Sequence, residues 1–330
     1  MTRDMTDVLF AESIEPLINK IDFSKLGSNV AIKIHFGEKG CKTYINPEIV
    51  RKVYNKIISL GKSATLVECN VLYRGSRANS TDHIKTARSH GFDMPIDILD
   101  GELGQDTIEI NGCKIGSGIK KYDSLIVMSH FKGHIAAGFG AAIKNVGMGL
   151  GSRAGKLDMH AGINPIVTPK CIGCSTCIKS CNARAITITK DNKAYINPKL
   201  CEGCAMCVAV CPHDAISIPW GARSSEELQK RIAEYAHAIL TLFPNTIFIN
   251  ILENITKDCD CFGIVQKPMM ENVGILASTN IVAIDKASLE LANKHSDDNF
   301  TKINHINKES QITQAEQAEL GTGRYRLVEI

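Results

Sequence analysis

Two runs of four cysteines, set 30 residues apart, constrain this chain more than any other feature. Cys171-Ile-Gly-Cys174-Ser-Thr-Cys177-Ile-Lys-Ser-Cys181 is followed by Ala185, Ile186 and Ile188. Cys201-Glu-Gly-Cys204-Ala-Met-Cys207-Val-Ala-Val-Cys211 is followed by Ala215, Ile216 and Ile218. The pattern predicts a cysteine loop, a short helical turn and a short strand, made twice. Tyr195–Asn197 is expected to pair with Ile186–Ile188 across a turn at Asp191-Asn192. Residues 1–22 carry Asp4, Asp7, Glu12 and Glu15 and hold no apolar secretion run, so the thirteen cysteines of the chain point to metal, not disulfides.

A cubane iron–sulfur cluster needs four soft thiolate ligands, and C-x2-C-x2-C wraps three of them around one face. The segment 163–219 resembles a bacterial two-cluster ferredoxin, in which the fourth cysteine of each run reaches the other cluster. The resemblance implies two [4Fe-4S] clusters. One would take Cys171, Cys174, Cys177 and Cys211; the other would take Cys201, Cys204, Cys207 and Cys181. Pro212 follows the second run as the pattern expects, whereas Asn182 follows the first; this residue shapes the turn and is no ligand. Zinc on CxxC pairs is the competing reading, but zinc does not require a doubled run of four. Oxygen-sensitive clusters fit an anaerobic setting.

Outside this segment the period changes. Val30–Phe36, Ala64–Cys69, Ile96–Leu99 and Asp123–Ser129 read as strands, with helices over Pro47–Leu60 and Thr81–His90. After it come a helix at Glu226–Leu242, strands at Ile247–Ile251 and Gly274–Ser278, and a helix at Ile281–Lys294. The alternation predicts an α/β fold: a mostly parallel sheet with helices, carrying an inserted α+β ferredoxin-like domain. Residues 1–162 and 220–330 are then two parts of one discontinuous domain.

The strand ending at Ser129 runs into His130-Phe-Lys132-Gly-His134 and Gly138-Phe-Gly140-Ala-Ala-Ile-Lys144-Asn145. Open α/β sheets bind ligands beyond the carboxyl ends of their strands, and glycines opening a helix bring backbone N–H groups to an anion. Lys132, Lys144, His130 and His134 are the candidate catalytic residues; a tight turn with packed histidines is the structural alternative. Ile143 stands where a dinucleotide fingerprint needs its third glycine, which argues against a Rossmann cofactor. Cys259 and Cys261, two apart in Asp258-Cys-Asp-Cys, can face one way and grip a metal, or be plain reduced thiols. His35 and His160 are further candidate ligands for such an additional metal ion. Cys41, Cys69 and Cys113 are isolated and read as buried apolar residues, Cys41 less securely because it follows a loop.

At these residues the chain resembles the domain of unknown function 362 family, many of whose members contain a ferredoxin-type segment. The resemblance rests on Lys33-Ile-His35-Phe-Gly37-Glu38, His130–His134, Gly138–Gly149, Arg153–Lys156 and His160. It continues through Cys259–Cys261, Gly274–Ser278 and Ala283-Ile-Asp285. It implies that the blocks on either side of the insert belong together, and that the histidines, Lys144 and the Cys-x-Cys pair form one site.

The net charge of +3 and the lack of a basic stripe argue against nucleic acid, and no stretch has the length of a membrane span. The expected protein is a cytoplasmic iron–sulfur oxidoreductase relaying electrons through two clusters to a metal or substrate site in the α/β domain. Its expected partners are a redox protein or soluble electron donor or acceptor, and an anionic small-molecule substrate. The alternative is a non-catalytic electron carrier or a metal- or cluster-handling binding protein, for which the chain is long.

Overall fold

In the computed structural model residues 5–330 are described; Asp4, cited above, lies outside them. Eight strands form the main sheet: β1 (Thr6–Ala11), β2 (Asn29–Lys33), β3 (Ser63–Glu68), β4 (Ile96–Ile98), β5 (Ser124–His130), β6 (Ile247–Leu252), β7 (Gly274–Ser278) and β8 (Tyr325–Glu329). Their order is β8-β1-β7-β6-β5-β2-β3-β4. Every pairing is parallel except those of β7, which runs antiparallel to β1 and β6. Strands from before and after the cysteine-rich segment therefore share one sheet.

The central strands are buried along their whole length, as a sheet covered on both faces requires. Alternate residues feed two cores: Leu125 and Val127 enter one, Ile126 and Met128 the other. Helices α1 (Ile14–Lys20), α2 (Pro47–Ser59) and α3 (Ser80–Ser89) contribute to the second core. Helices α4 (Ala142–Leu150), α6 (Ser225–Leu240) and α7 (Ile281–His295) fill the first, and α5 (Arg153–His160) adds Met159 to it. Local chemistry sets several of these helix starts. Pro47 opens α2 with Asn46 accepting from Glu48 N, and Ser224 and Glu227 close a capping box on α6.

The cysteine-rich segment is built from short pieces. Ile166–Val167 pairs antiparallel with Ile216–Ser217, and Ile186–Ile188 with Ala194–Ile196. Its backbone repeats itself at the same offset as its cysteines. Gly173 and Gly203, Ser175 and Ala205, and Arg184 and Asp214 all have positive φ. It has its own small core of Cys171, Cys177, Cys207, Ile186, Ile196 and Ile216. A second contact joins it to the sheet domain, where Ala205 and Ile218 pack with Leu72, Leu157 and Ala161.

Two features differ from the sequence expectation. The glycine-rich stretch after β5 is no simple turn: Lys132–His134 pairs antiparallel with Gly138–Gly140 as a hairpin. The outer strands β1 and β8, which extend the sheet beyond β7, were not foreseen. No helix is long and apolar enough to cross a membrane among the described residues.

Candidate functional site

The chain runs outward from β2 through β3 to β4, then returns to β5 on the other side of β2. Such a reversal opens a crevice at the carboxyl ends of the strands. A cavity of about 570 Å³ is lined there by His35, just after β2, and Glu68, at the end of β3. Lys132 and His134 reach it from the hairpin, Lys144 from α4, His160 from α5, and Cys259 and Cys261 from the loop after β6. Seven residues singled out from sequence thus share one cavity. Trp220 and Arg223, at the exit of the cysteine-rich segment, complete its wall.

His130 is placed differently. Its Nδ1 lies 2.7 Å from Asp260 Oδ2 and its Nε2 lies 2.9 Å from the Glu253 carbonyl, so both nitrogens face acceptors. It does not line the cavity; it anchors Asp260 within the protein. Lys132 Nζ is 3.2 Å from the same carboxylate oxygen, and Thr43 Oγ1 donates to the other at 3.2 Å. Cys41 Sγ approaches that second oxygen at 3.9 Å, so the least secure of the isolated cysteines is buried beneath the site. Burial opposes the charge on Asp260, yet His130 and Lys132 outweigh it and hold the carboxyl far below its usual range. Burial likewise disfavours charge on Lys132, but Asp260 and Cys259 more than restore it, so its ammonium is raised above the usual value.

The cysteine pair is asymmetric. Cys259 Sγ accepts from the Cys261 N–H at 3.4 Å. The Cys261 thiol, then the charges of Lys144 and Lys132, lower Cys259, while Cys261 is raised well above its usual value by the same bond and by burial. Ligand atoms of His134, Cys259 and Cys261 all lie within 4.8 Å of one another. His35 lies apart from that trio, with Arg77 Nη1 2.9 Å from its Nε2. Burial, with Arg77 and Lys132 nearby, keeps His35 neutral; burial and Lys144 do the same for His134 and His160. The His160 ring meets Trp220 edge to face at 4.8 Å.

Most cations of the cavity wall are committed. Arg77 meets Glu38, Lys132 meets Asp260 and Arg223 meets Asp158, while Lys156 Nζ donates to the Gly151 carbonyl at 2.6 Å. Lys144 has no hydrogen-bond or ion-pair partner among the described residues, and its ammonium faces the cavity. The expected anion site at the glycine-opened helix is already filled. Asp285 accepts from Ala142 N and Ile143 N, both at 2.9 Å, so the first turn of α4 is capped by a carboxylate of the protein. Any anion is left to the lysine.

In the cysteine-rich segment, Cys171, Cys174 and Cys177 line one small cavity together with Cys211 from the other run. Burial, then the neighbouring sulfurs of Cys211, Cys171 and Cys174, push the Cys177 thiol up. Burial does the same to Cys204, and Cys181 and Cys201 add to it. Backbone N–H groups of Ala185, Ala194 and Ala215 donate to Cys181, Cys171 and Cys211 Sγ, each at 3.3 Å.

Several residues of the site carried no signal of their own in the sequence. Arg77, Tyr73 and Trp220 stand far along the chain from the motifs they join. Asp260 stands between the two cysteines, but its role depends on the turn at Cys259–Phe262 and on His130 and Lys132 far along the chain.

No curated protein matches the chain. Among solved structures, a lactate racemase apoprotein from Thermoanaerobacterium thermosaccharolyticum is similar at 12% identity and a TM-score of 0.34, over 76% of this chain and 51% of that one. A structural-genomics crystal structure from Thermotoga maritima is similar at 10% identity and a TM-score of 0.40, over 86% of this chain and 57% of that one. The chain thus spans little more than half the length of either. A family model described as a domain of unknown function matches residues 30–290, and the chain belongs to that family, DUF362.

Proposed function

We infer that the chain is an iron–sulfur electron-transfer protein, a redox enzyme linking two [4Fe-4S] clusters to chemistry on an anionic small molecule in the sheet-domain cavity. The donor set supports the clusters. Two groups of four thiols, each completed by a cysteine of the other run, fit soft tetrahedral iron, and backbone N–H groups are aimed at the Cys181 and Cys211 sulfurs, as cluster sulfurs accept them. Such clusters, when bound, exchange single electrons.

The observation that carries the link is the contact between the two parts. Ala205, between Cys204 and Cys207, is buried with Leu157 and Leu72, and Leu72 also lines the cavity. The second cysteine run therefore adjoins the cavity wall, while Cys174 of the first run and Cys204 of the second are exposed at the surface. Within the cavity, Lys144 supplies the free positive charge for an anion, and Trp220, Phe262 and Leu228 give apolar wall that limits water. The cavity volume lies in the range of small-molecule sites, which weighs against a carrier without a substrate.

Anaerobic purification with iron, acid-labile sulfide and electron paramagnetic resonance measurements tests this reading. About eight irons and eight sulfides per chain are expected. A reconstituted protein holding zinc and no sulfide would sink it. One observation favours a variant in which the cavity holds a further metal: the closeness of His134, Cys259 and Cys261. Metal in excess of the cluster iron, lost in Cys259→Ser, is its signature.

A further inference from the structure

The anchoring of Asp260 explains how the loop after β6 presents its sulfurs. Phe262 N donates to the Cys259 carbonyl at 3.1 Å, so Cys259–Phe262 is a hydrogen-bonded turn and not the extended segment expected from the sequence; its side chains are placed by their anchors. The Asp260 carboxylate is held by His130, Lys132 and Thr43, and its carbonyl accepts from Glu38 N at 2.9 Å. Cys259 and Cys261 accordingly both line the cavity. The turn is tied on either side: Asp258 N donates to Gln266 Oε1 at 3.1 Å, and Tyr73 OH donates to the Cys261 carbonyl at 3.2 Å.

A metal held by this trio would need a free lone pair on His134. Nδ1 already accepts from Ala136 N and Ala137 N, at 3.1 and 3.0 Å. A neutral imidazole then carries its one proton on Nε2. Metal-bound histidines use the opposite arrangement, with the second nitrogen donating. His134, with Nδ1 accepting two backbone N–H groups, lacks the arrangement a metal ligand needs. The two thiols are left as reactive groups beside the unpaired ammonium of Lys144.

We propose that Cys259 and Cys261 form a redox-active dithiol that exchanges with anionic thiols and disulfides admitted to the cavity, with Lys144 as counter-charge. This rests on the redox reading above and gives the class of small molecule the cavity takes. In the oxidising half, the Cys259 thiolate attacks one sulfur of the incoming disulfide, whose S–S bond breaks and releases one thiolate. The Cys261 sulfur then attacks the Cys259 sulfur, and its proton goes to the second thiolate as that leaves. One disulfide is reduced to a thiolate and a thiol, and two protein thiols are oxidised to one disulfide. The same steps in reverse restore the dithiol.

The test uses the anaerobically purified full chain, equilibrated in glutathione and glutathione disulfide at stepped ratios, alkylated with iodoacetamide and digested with trypsin. Cleavage after Lys257 and Lys286 releases Asp258–Lys286, since Pro268 protects Lys267; Cys259 and Cys261 are its only cysteines. The expected result is a reversible passage from two alkyl groups on this peptide to none, with two hydrogens lost. Lys144→Gln should slow alkylation of the pair about tenfold. Two alkyl groups at every ratio would overturn the proposal. So would a stoichiometric metal, beyond the cluster iron, that blocks alkylation and disappears in Cys259→Ser. The peptide mass is independent of iron and sulfide content, so failure here and failure of the cluster reading are separately visible.

Discussion

Oδ2 of Asp260 lies 2.7 Å from Nδ1 of His130, and both side chains are buried. Lys132 shares the same oxygen at 3.2 Å, so one carboxylate compensates two basic groups. Asp260→Asn removes that compensation while keeping the shape. It should cost about 3 kcal/mol in denaturant unfolding, because charge left alone in the interior is worse than a charge that was never buried.

The same carboxylate sets an acid limit. Its folded pKa is depressed below the unfolded value, so its contribution is fully present above the ordinary carboxylate range and is lost as pH falls through the folded value. Unfolding free energy measured from pH 5 downward should fall in the wild type and fall less steeply in Asp260→Asn.

Asp285 has the opposite sign. Burial pushes its carboxyl up from 3.8 to about 6, although the Ile143 and Ala142 amides and Asn250 favour the charge. The folded state then binds the proton more tightly, so stability is greatest below the unfolded value and declines as pH rises through about 6. Asp285→Asn should remove that decline. Asp285→Ala should cost about 2 kcal/mol at pH 7 in chemical denaturation, through the lost cap of α4 and the loss of one of the two bonds the Asn250 amide donates, the one to Ser288 Oγ remaining.

Gly147 in α4 lies against α6, where an added Cβ would come within 2.1 Å of the Ile232 carbonyl oxygen. Backbone cannot move aside as a side chain can. Gly147→Ala should lower stability by about 2 kcal/mol and displace α4, which carries Lys144, from the cavity wall. A thermal unfolding midpoint unchanged from wild type would contradict that packing.

If the two cysteine runs exchange their fourth ligands, Cys211→Ala should mimic Cys171→Ala and not Cys201→Ala. Electron paramagnetic resonance of the reduced variants checks this. Cys171→Ala and Cys211→Ala should give one residual signal, and Cys181→Ala and Cys201→Ala the other. A shared spectrum for Cys201→Ala and Cys211→Ala would overturn the exchange.

Strands β2 to β7 and helices α2, α3, α6 and α7 were legible because each is announced by neighbours in sequence. The apolar run at β5, Pro47 at the head of α2 and Ser224 before α6 act within a turn or a strand. The glycine-rich stretch after β5 was misread because its hairpin depends on cross-strand pairing, which local composition does not distinguish from a loop. The histidines were legible as a group but not in their roles. Whether His130 faces the cavity or the core depends on Asp260, 130 residues further along.

By itself, the amino-acid order determined the doubled cysteine pattern, the alternation of strand and helix, and the short list of polar residues worth watching. These follow from spacing along the chain. Tertiary structure alone decided that α4 begins on the carboxylate of Asp285 and not on a ligand, that Lys144 is left without a partner among the described residues, and that Asp260 is anchored on His130 between two sulfurs that line the cavity. The first and last of those outcomes are contacts between groups more than a hundred residues apart, and only the closing of the sheet around both cores brings such groups within hydrogen-bonding reach.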